Sequence, residues 1–109
     1  MYVAMNHFRV DADHTQQFEQ AWRERESHLD RVPGFLSFQL LRGTEEEGAV
    51  PYASHTLWDS ESAFLEWTRS EAFRLAHAQG RMPPGVVLGP PRFVGWQSVD
   101  LAPAPPPRS

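Results

Sequence analysis

The chain has 109 residues, contains no cysteine and carries a formal charge of −4 at pH 7. This length suits one domain with its own hydrophobic core, and the lack of cysteine excludes disulfides and thiolate metal sites. The mild charge is spread along the chain without a basic face, which excludes nucleic acid as a partner. No segment is long and apolar enough to span a bilayer, and the N-terminus lacks a signal-peptide pattern. We therefore expect a cytoplasmic protein without a membrane partner.

The first predicted element is a strand over residues 2–10 that is largely apolar on both faces. One face, which we assign to the helices, is formed by Tyr2, Ala4, Asn6, Phe8 and Val10. Asn6 is the polar exception on this face, so its amide is expected near the interior. Val3 and Met5 lie on the opposite face and also require a cover.

A helix is predicted after this strand because one stripe of side chains recurs at spacings of three and four residues. The stripe consists of Phe18, Trp22, Arg25 and Leu29. Residues 11–15 supply capping side chains at its start, and the sequence Val32-Pro33-Gly34 ends it.

Two strands over residues 35–42 and 52–60 come next, joined by a polar turn that predicts an antiparallel hairpin. A second helix begins after Asp59 or Ser60, either of which can cap it. Beyond Ser70 a further helical segment is predicted as far as about Ala78.

Residues 79–91 are rich in glycine and proline, which predicts a long exposed loop without regular structure, of the kind that often forms a lid. A last strand follows over residues 92–101, and the Pro-rich tail at 102–109 is expected to be disordered. The predicted domain therefore covers residues 1–101.

The predicted order is β-α-β-β-α-β, an α+β class with the ferredoxin-like split arrangement and an antiparallel sheet. Both crossover helices of this arrangement cover the same face of the sheet. The other face would leave apolar side chains in water, so we expect a homodimer that closes into a dimeric α/β barrel.

Taken one at a time, the candidate functional residues have ordinary structural explanations. A buried Asn6 amide can bond to neighbouring backbone, Trp67 can fill the core, Arg25 can extend its guanidinium outward, and His77 can lie at a helix C-terminus. No pair of the five histidines has zinc-site spacing, and no serine lies in a nucleophile elbow.

Together, however, Asn6, Trp67 and His77 resemble the catalytic trio of the IsdG-type haem-degrading monooxygenases. These enzymes belong to the antibiotic biosynthesis monooxygenase superfamily, which has a dimeric ferredoxin-like fold. The likeness covers roughly residues 1–100. Its most specific part is the W-(x)9-H spacing in WTRSEAFRLAH, and the segments PGFLSFQLLR and TLWDS support it.

The resemblance implies that the chain binds haem as both cofactor and substrate, opens the porphyrin ring oxidatively and releases iron. His77 would ligate the haem iron, Trp67 would press the macrocycle out of plane, and Asn6 would donate its amide to the iron-bound ligand. Arg25 and Arg81 match family arginines suited to pair with propionates. Dioxygen and an external electron donor, delivered by a reductase, complete the implied reaction.

Two other functions stay open at this point. Cofactor-independent monooxygenases of phenolic or quinol substrates share the superfamily and can carry Asn, Trp and His at related positions, so the fold does not distinguish them. A haem-binding protein that leaves haem intact is the other alternative. The spacing of Trp67 and His77 favours haem degradation.

Overall fold

The structure is a computed structural model, and it describes residues 1–25, 29–71, 73–74 and 82–101. The helices and strands in chain order are β1 (Tyr2–Asp11), α1 (Thr15–Glu24), β2 (Phe35–Arg42), β3 (Ala49–Trp58), α2 (Glu61–Thr68) and β4 (Arg92–Gln97). Short 3-10 helices at Ala12–His14 and Leu29–Arg31 flank α1. This order confirms the predicted α+β, ferredoxin-like arrangement. The tail at 102–109 lies outside the described residues.

The four strands form one antiparallel sheet in the order β2-β3-β1-β4. Phe18 of α1 contacts the ring of Phe8 with 5.4 Å between centroids, and Phe64 of α2 contacts the ring of Tyr2 at 5.6 Å. Because Phe8 and Tyr2 share one face of β1, both helices cover the same face of the sheet, as predicted. No helix in the described part of the chain has the length and hydropathy that a membrane crossing requires.

The core under the helices consists of two clusters of buried side chains. One lies against α1 and contains Val10, Phe18, Val50, Tyr52 and Val86. The other lies against α2 and contains Tyr2, Ala4, Leu29 and Trp58.

The predicted extent of the first helix was wrong. Helix α1 ends at Glu24, and Arg25 follows with an extended backbone (ψ 127°) whose N–H donates to the Trp22 carbonyl at 3.3 Å. Leu29 belongs to a separate 3-10 helix, yet it is still buried. The predicted stripe of side chains is shared between α1 and this 3-10 helix. Apolar spacing alone therefore could not show that α1 ends before Leu29. Strand bounds also differ, because β3 begins at Ala49 and β4 ends at Gln97.

The predicted exposed loop at 79–91 was wrong in part, because its second half is attached to the sheet. Residues 79–81 lie outside the described residues. Val86 is 1% exposed, and its carbonyl accepts a 2.9 Å hydrogen bond from the Asp11 N–H. The Leu88 N–H donates to the Arg9 carbonyl at 2.7 Å. Gly85 adopts a positive φ of 88° that turns the chain into this pairing, and the following valines supply apolar side chains to bury.

Helix α1 is joined to the sheet by the Glu19 carboxylate. It accepts hydrogen bonds from the Tyr52 hydroxyl at 2.5 Å, from Arg42 at 3.1 Å and from Arg23 at 3.2 Å. The hydrogen bond from Tyr52, together with the two guanidinium groups, lowers the pKa of Glu19 below its ordinary value despite partial burial.

We expect Glu19→Gln to destabilise the protein by about 1–2 kcal/mol at pH 7 and to reduce its sensitivity to acid. The folded-state pKa of Glu19 lies below the unfolded value, so its stabilisation is complete above the unfolded pKa and is lost as pH falls through the folded pKa. Thermal unfolding at pH 7 and at about pH 3 measures this loss. Glu24→Gln, at the exposed end of α1, is the matched control. A pH-dependent loss as large in Glu19→Gln as in the wild type would contradict the expectation.

Candidate functional site

A cavity of about 770 Å³ opens between the helix-covered face of the sheet and the two helices. Its volume falls within the range of small-molecule and cofactor sites. Aromatic side chains dominate the wall, and they include Phe8, Trp22, Phe38, Phe64, Trp67 and Phe93. The cavity is therefore suited to a large, flat and mostly apolar ligand.

Asn6 lies in the middle of this wall on the central strand β1. Its backbone pairs with Ser54 of β3 on one side and with Phe93 of β4 on the other, and all three residues line the cavity. The side chain is half-buried. Side chains alternate between the two faces of a strand, and β1 is paired on both edges, so the Asn6 side chain is fixed on the helix-covered face. Asn6 therefore presents an amide donor and acceptor to the cavity.

Trp67 lines the cavity from α2 and is held in place by other aromatic rings. Its ring centroid lies 4.8 Å from that of Phe73, 5.5 Å from Trp58 and 6.2 Å from Phe64. The indole Nε1 is buried and has no hydrogen-bond partner among the described residues. Leaving such a donor unsatisfied costs about 1–3 kcal/mol. Trp67 thus combines the predicted packing role with a position on the cavity wall.

Arg25 brings a positive charge into the otherwise apolar wall. Its guanidinium carbon lies 4.0 Å from the centroid of the Trp22 ring, a cation–π arrangement. Burial lowers the pKa of Arg25 from its ordinary value, because desolvation disfavours the charged form. Taken alone, the sequence had suggested a guanidinium extending outward, whereas the side chain is half-buried and lines the cavity. The wall of the cavity therefore combines a cationic group with aromatic rings.

The structure therefore brings three of the predicted site residues, Asn6, Trp67 and Arg25, to one cavity. His77 and Arg81 lie outside the described residues, so their positions stay predictions. Among the described residues, no three His, Cys, Asp or Glu side chains gather where they could hold a metal ion.

Trp22 belongs to the predicted helix stripe but was not among the predicted site residues. The structure places its indole on the cavity wall, stacked on Phe38 with ring centroids 5.6 Å apart. The sequence did offer one indication that Trp22 belongs to the site. Trp22 lies three residues before Arg25, and residues at this spacing share a helix face.

Comparison with known proteins extends this picture. Residues 1–79 match the family described as Antibiotic biosynthesis monooxygenase. A heme oxygenase (mycobilin-producing) from Mycobacterium tuberculosis is 34% identical to this chain over 82 residues, which are 75% of each protein. A heme-degrading monooxygenase from Shouchella clausii is 36% identical over 61 residues, 56% of this chain and 57% of that one.

A solved structure agrees with the sequence relatives. The heme-degrader MhuD from Mycobacterium tuberculosis superposes with a TM-score of 0.69 and 30% identity, over 94% of this chain and 100% of that one. That structure has two hemes bound in its active site.

Proposed function

The chain belongs to the antibiotic biosynthesis monooxygenase family, and we propose that it is a haem-degrading monooxygenase that opens the porphyrin ring oxidatively and releases iron. The observation that carries this proposal is the aromatic cavity at which Asn6, Trp67 and Arg25 meet. A relative with 34% identity that is described as a heme oxygenase supports it.

The cavity fits the chemistry of haem. A porphyrin is a broad apolar ring with two carboxylates at one edge, and it requires an aromatic wall together with a cationic group. The wall offers both, within a volume of about 770 Å³.

Each proposed site residue would contribute one interaction. His77 would hold the haem through a neutral imidazole nitrogen, and Asn6 would offer its amide as a hydrogen-bond donor from β1. Trp67 would press on the ring from α2, and Arg25 and Arg81 would pair with the carboxylates. The bound haem supplies the redox chemistry, with dioxygen and with electrons from a donor that we propose to be a partner reductase.

Hemin titration followed by aerobic reduction tests this function. We expect added hemin to develop the Soret band of a protein-bound haem. After ascorbate is added in air, the band should decay while mass spectrometry detects an open-chain tetrapyrrole and free iron is released. A bound haem that survives this treatment would overturn the enzyme in favour of a binding protein. The absence of hemin binding would leave cofactor-independent oxygenation as the alternative.

We further propose that the chain forms a homodimer through the sheet face that the helices leave open. Val3 and Met5 on this face are half-buried, while Trp96, opposite Val3 in the sheet register, is 58% exposed. Leu41 on the same face is 40% exposed. A second copy of the chain would cover these apolar side chains and complete the barrel.

Met5→Glu is expected to weaken this dimer by more than about 100-fold, because an unpaired carboxylate would be buried in the interface. Sedimentation velocity should then give the wild type twice the chain mass of 12.4 kDa and the variant a single chain mass. Gln17→Glu, on the exposed side of α1, introduces the same charge as a control and should remain dimeric. A wild-type protein of single chain mass would contradict the proposal.

A further inference from the structure

Two polar side chains interrupt the aromatic wall of the cavity where β1 pairs with β3. Asn6 and Ser54 lie directly opposite each other in the register of these strands, and both line the cavity. Opposite residues of antiparallel strands point to the same face, with their Cβ atoms about 4.5–5.5 Å apart. The two side chains can therefore reach one small group in the cavity.

The Ser54 hydroxyl takes no part in the hydrogen bonding of the fold. Ser54 is 7% exposed, and neither its hydroxyl nor the Asn6 side-chain amide bonds to another residue in the described part of the chain. The hydroxyl is also not among the fully enclosed polar atoms that lack a partner there, so its free surface faces the cavity. Buried polar groups are usually hydrogen-bonded, and one that is not requires an explanation.

Thr56, the next residue on this face of β3, shows how the fold uses a buried hydroxyl. It is 8% exposed, donates to the Ala4 carbonyl at 3.2 Å and accepts from the Trp58 Nε1–H at 2.9 Å. Both Thr56 and Ser54 line the cavity, yet within the described chain only the hydroxyl of Thr56 is hydrogen-bonded. The Ser54 hydroxyl is therefore better explained by a ligand than by the fold.

We propose that Ser54 is a second hydrogen-bond donor, beside Asn6, to the small ligand that haem iron takes on this side of the macrocycle. This inference rests on the proposed function. A porphyrin face against the wall would cover both side chains without offering them an acceptor, because its free polar groups are the carboxylates at one edge. A small ligand with lone pairs would accept from the hydroxyl and the amide together. The site would thus favour ligands that accept hydrogen bonds over similar ligands that do not.

Ser54→Ala tests this role because it removes one oxygen atom and nothing else. Fluoride, a strong acceptor that binds ferric haem, is the probe, and its dissociation constant from the ferric haem complex should be about fivefold higher than in the wild type. Carbon monoxide is a poor acceptor, so its affinity for the reduced complex without air should change by less than about twofold, as should hemin affinity. Ser98→Ala makes the same substitution at an exposed position outside the cavity and should match the wild type throughout.

Thermal unfolding of the ligand-free proteins distinguishes the two hydroxyls on β3. Ser54→Ala should keep the wild-type midpoint within about 2 °C, because no hydrogen bond of the described chain is lost. Thr56→Val should lower the midpoint by about 4–8 °C, because the buried Trp58 Nε1–H loses its acceptor. A fall in Ser54→Ala as large as that in Thr56→Val would overturn the inference, since the hydroxyl would then serve the fold.

The ligand measurements separate this inference from the function on which it rests. Equal fluoride affinity in Ser54→Ala and the wild type would overturn the role of Ser54 and leave haem binding intact. An equal loss of affinity for fluoride and for carbon monoxide would also overturn it, since the substitution would then act through the shape of the cavity. Weaker hemin binding with unchanged fluoride affinity would instead assign the hydroxyl to the macrocycle. A wild-type protein that binds no hemin would overturn the proposed function and this inference together.

Discussion

Replacing His77 with alanine is expected to remove the Soret band of bound hemin and to reduce its aerobic degradation to the rate seen without protein. An imidazole nitrogen is the axial ligand that the resemblance assigns to this position, and no other proposed site residue can ligate iron as a neutral nitrogen. We expect hemin affinity to fall by at least about 100-fold, which corresponds to about 2.7 kcal/mol. Hemin titration and single-turnover kinetics with ascorbate measure the two effects.

His14→Ala provides the matched control for this experiment. The His14 imidazole contacts the Asp11 carboxylate next to the start of α1, and it is not part of the cavity wall. Free imidazole added to His77→Ala should restore a Soret band if the variant lacks only the ligand. An unchanged Soret band in His77→Ala without imidazole would contradict the assignment and would remove the main sequence argument for haem over a cofactor-independent reaction.

The direction of the central strand's side chains could be predicted from the sequence. Alternation places Asn6 on the same face as Tyr2 and Phe8, and pairing on both edges of β1 holds that register in the structure. The start of α2 could also be predicted from the sequence. The Ser60 hydroxyl accepts a hydrogen bond from the Ala63 N–H at 3.1 Å, as expected of an N-cap residue. Both signals are local, so nothing distant in the chain can reverse them.

Features that depend on distant contacts could not be predicted in this way. Val86 appeared to belong to an exposed loop, but it is buried with Phe18 and Val10, which lie some seventy positions earlier in the chain. Trp22 was predicted only as part of a helix stripe, because apolar spacing does not distinguish a packed core from the wall of a cavity. A cavity wall differs from a packed core by the empty volume beside it, and this volume forms only when α1, α2 and the sheet are assembled.

Trp67→Phe is expected to separate haem binding from haem degradation. The indole is fixed between Trp58, Phe64 and Phe73, so its outer edge cannot give way when a porphyrin presses against it. Phenylalanine is smaller and would leave a gap into which the macrocycle can relax toward planarity. We expect the hemin dissociation constant to change by less than about threefold, while the degradation rate falls about tenfold, or 1.4 kcal/mol.

Resonance Raman spectra of the ferric haem complex report macrocycle planarity independently of activity, and they should show a flatter ring in Trp67→Phe than in the wild type. Leu65→Ala, at an exposed position of α2 outside the cavity, should change neither the spectrum nor the rate. A flatter ring with an unchanged rate would show that distortion is not what drives ring opening. A slower rate with an unchanged spectrum would instead assign Trp67 to ordinary substrate positioning, because a positioning defect alters the reacting geometry without altering the shape of the ring.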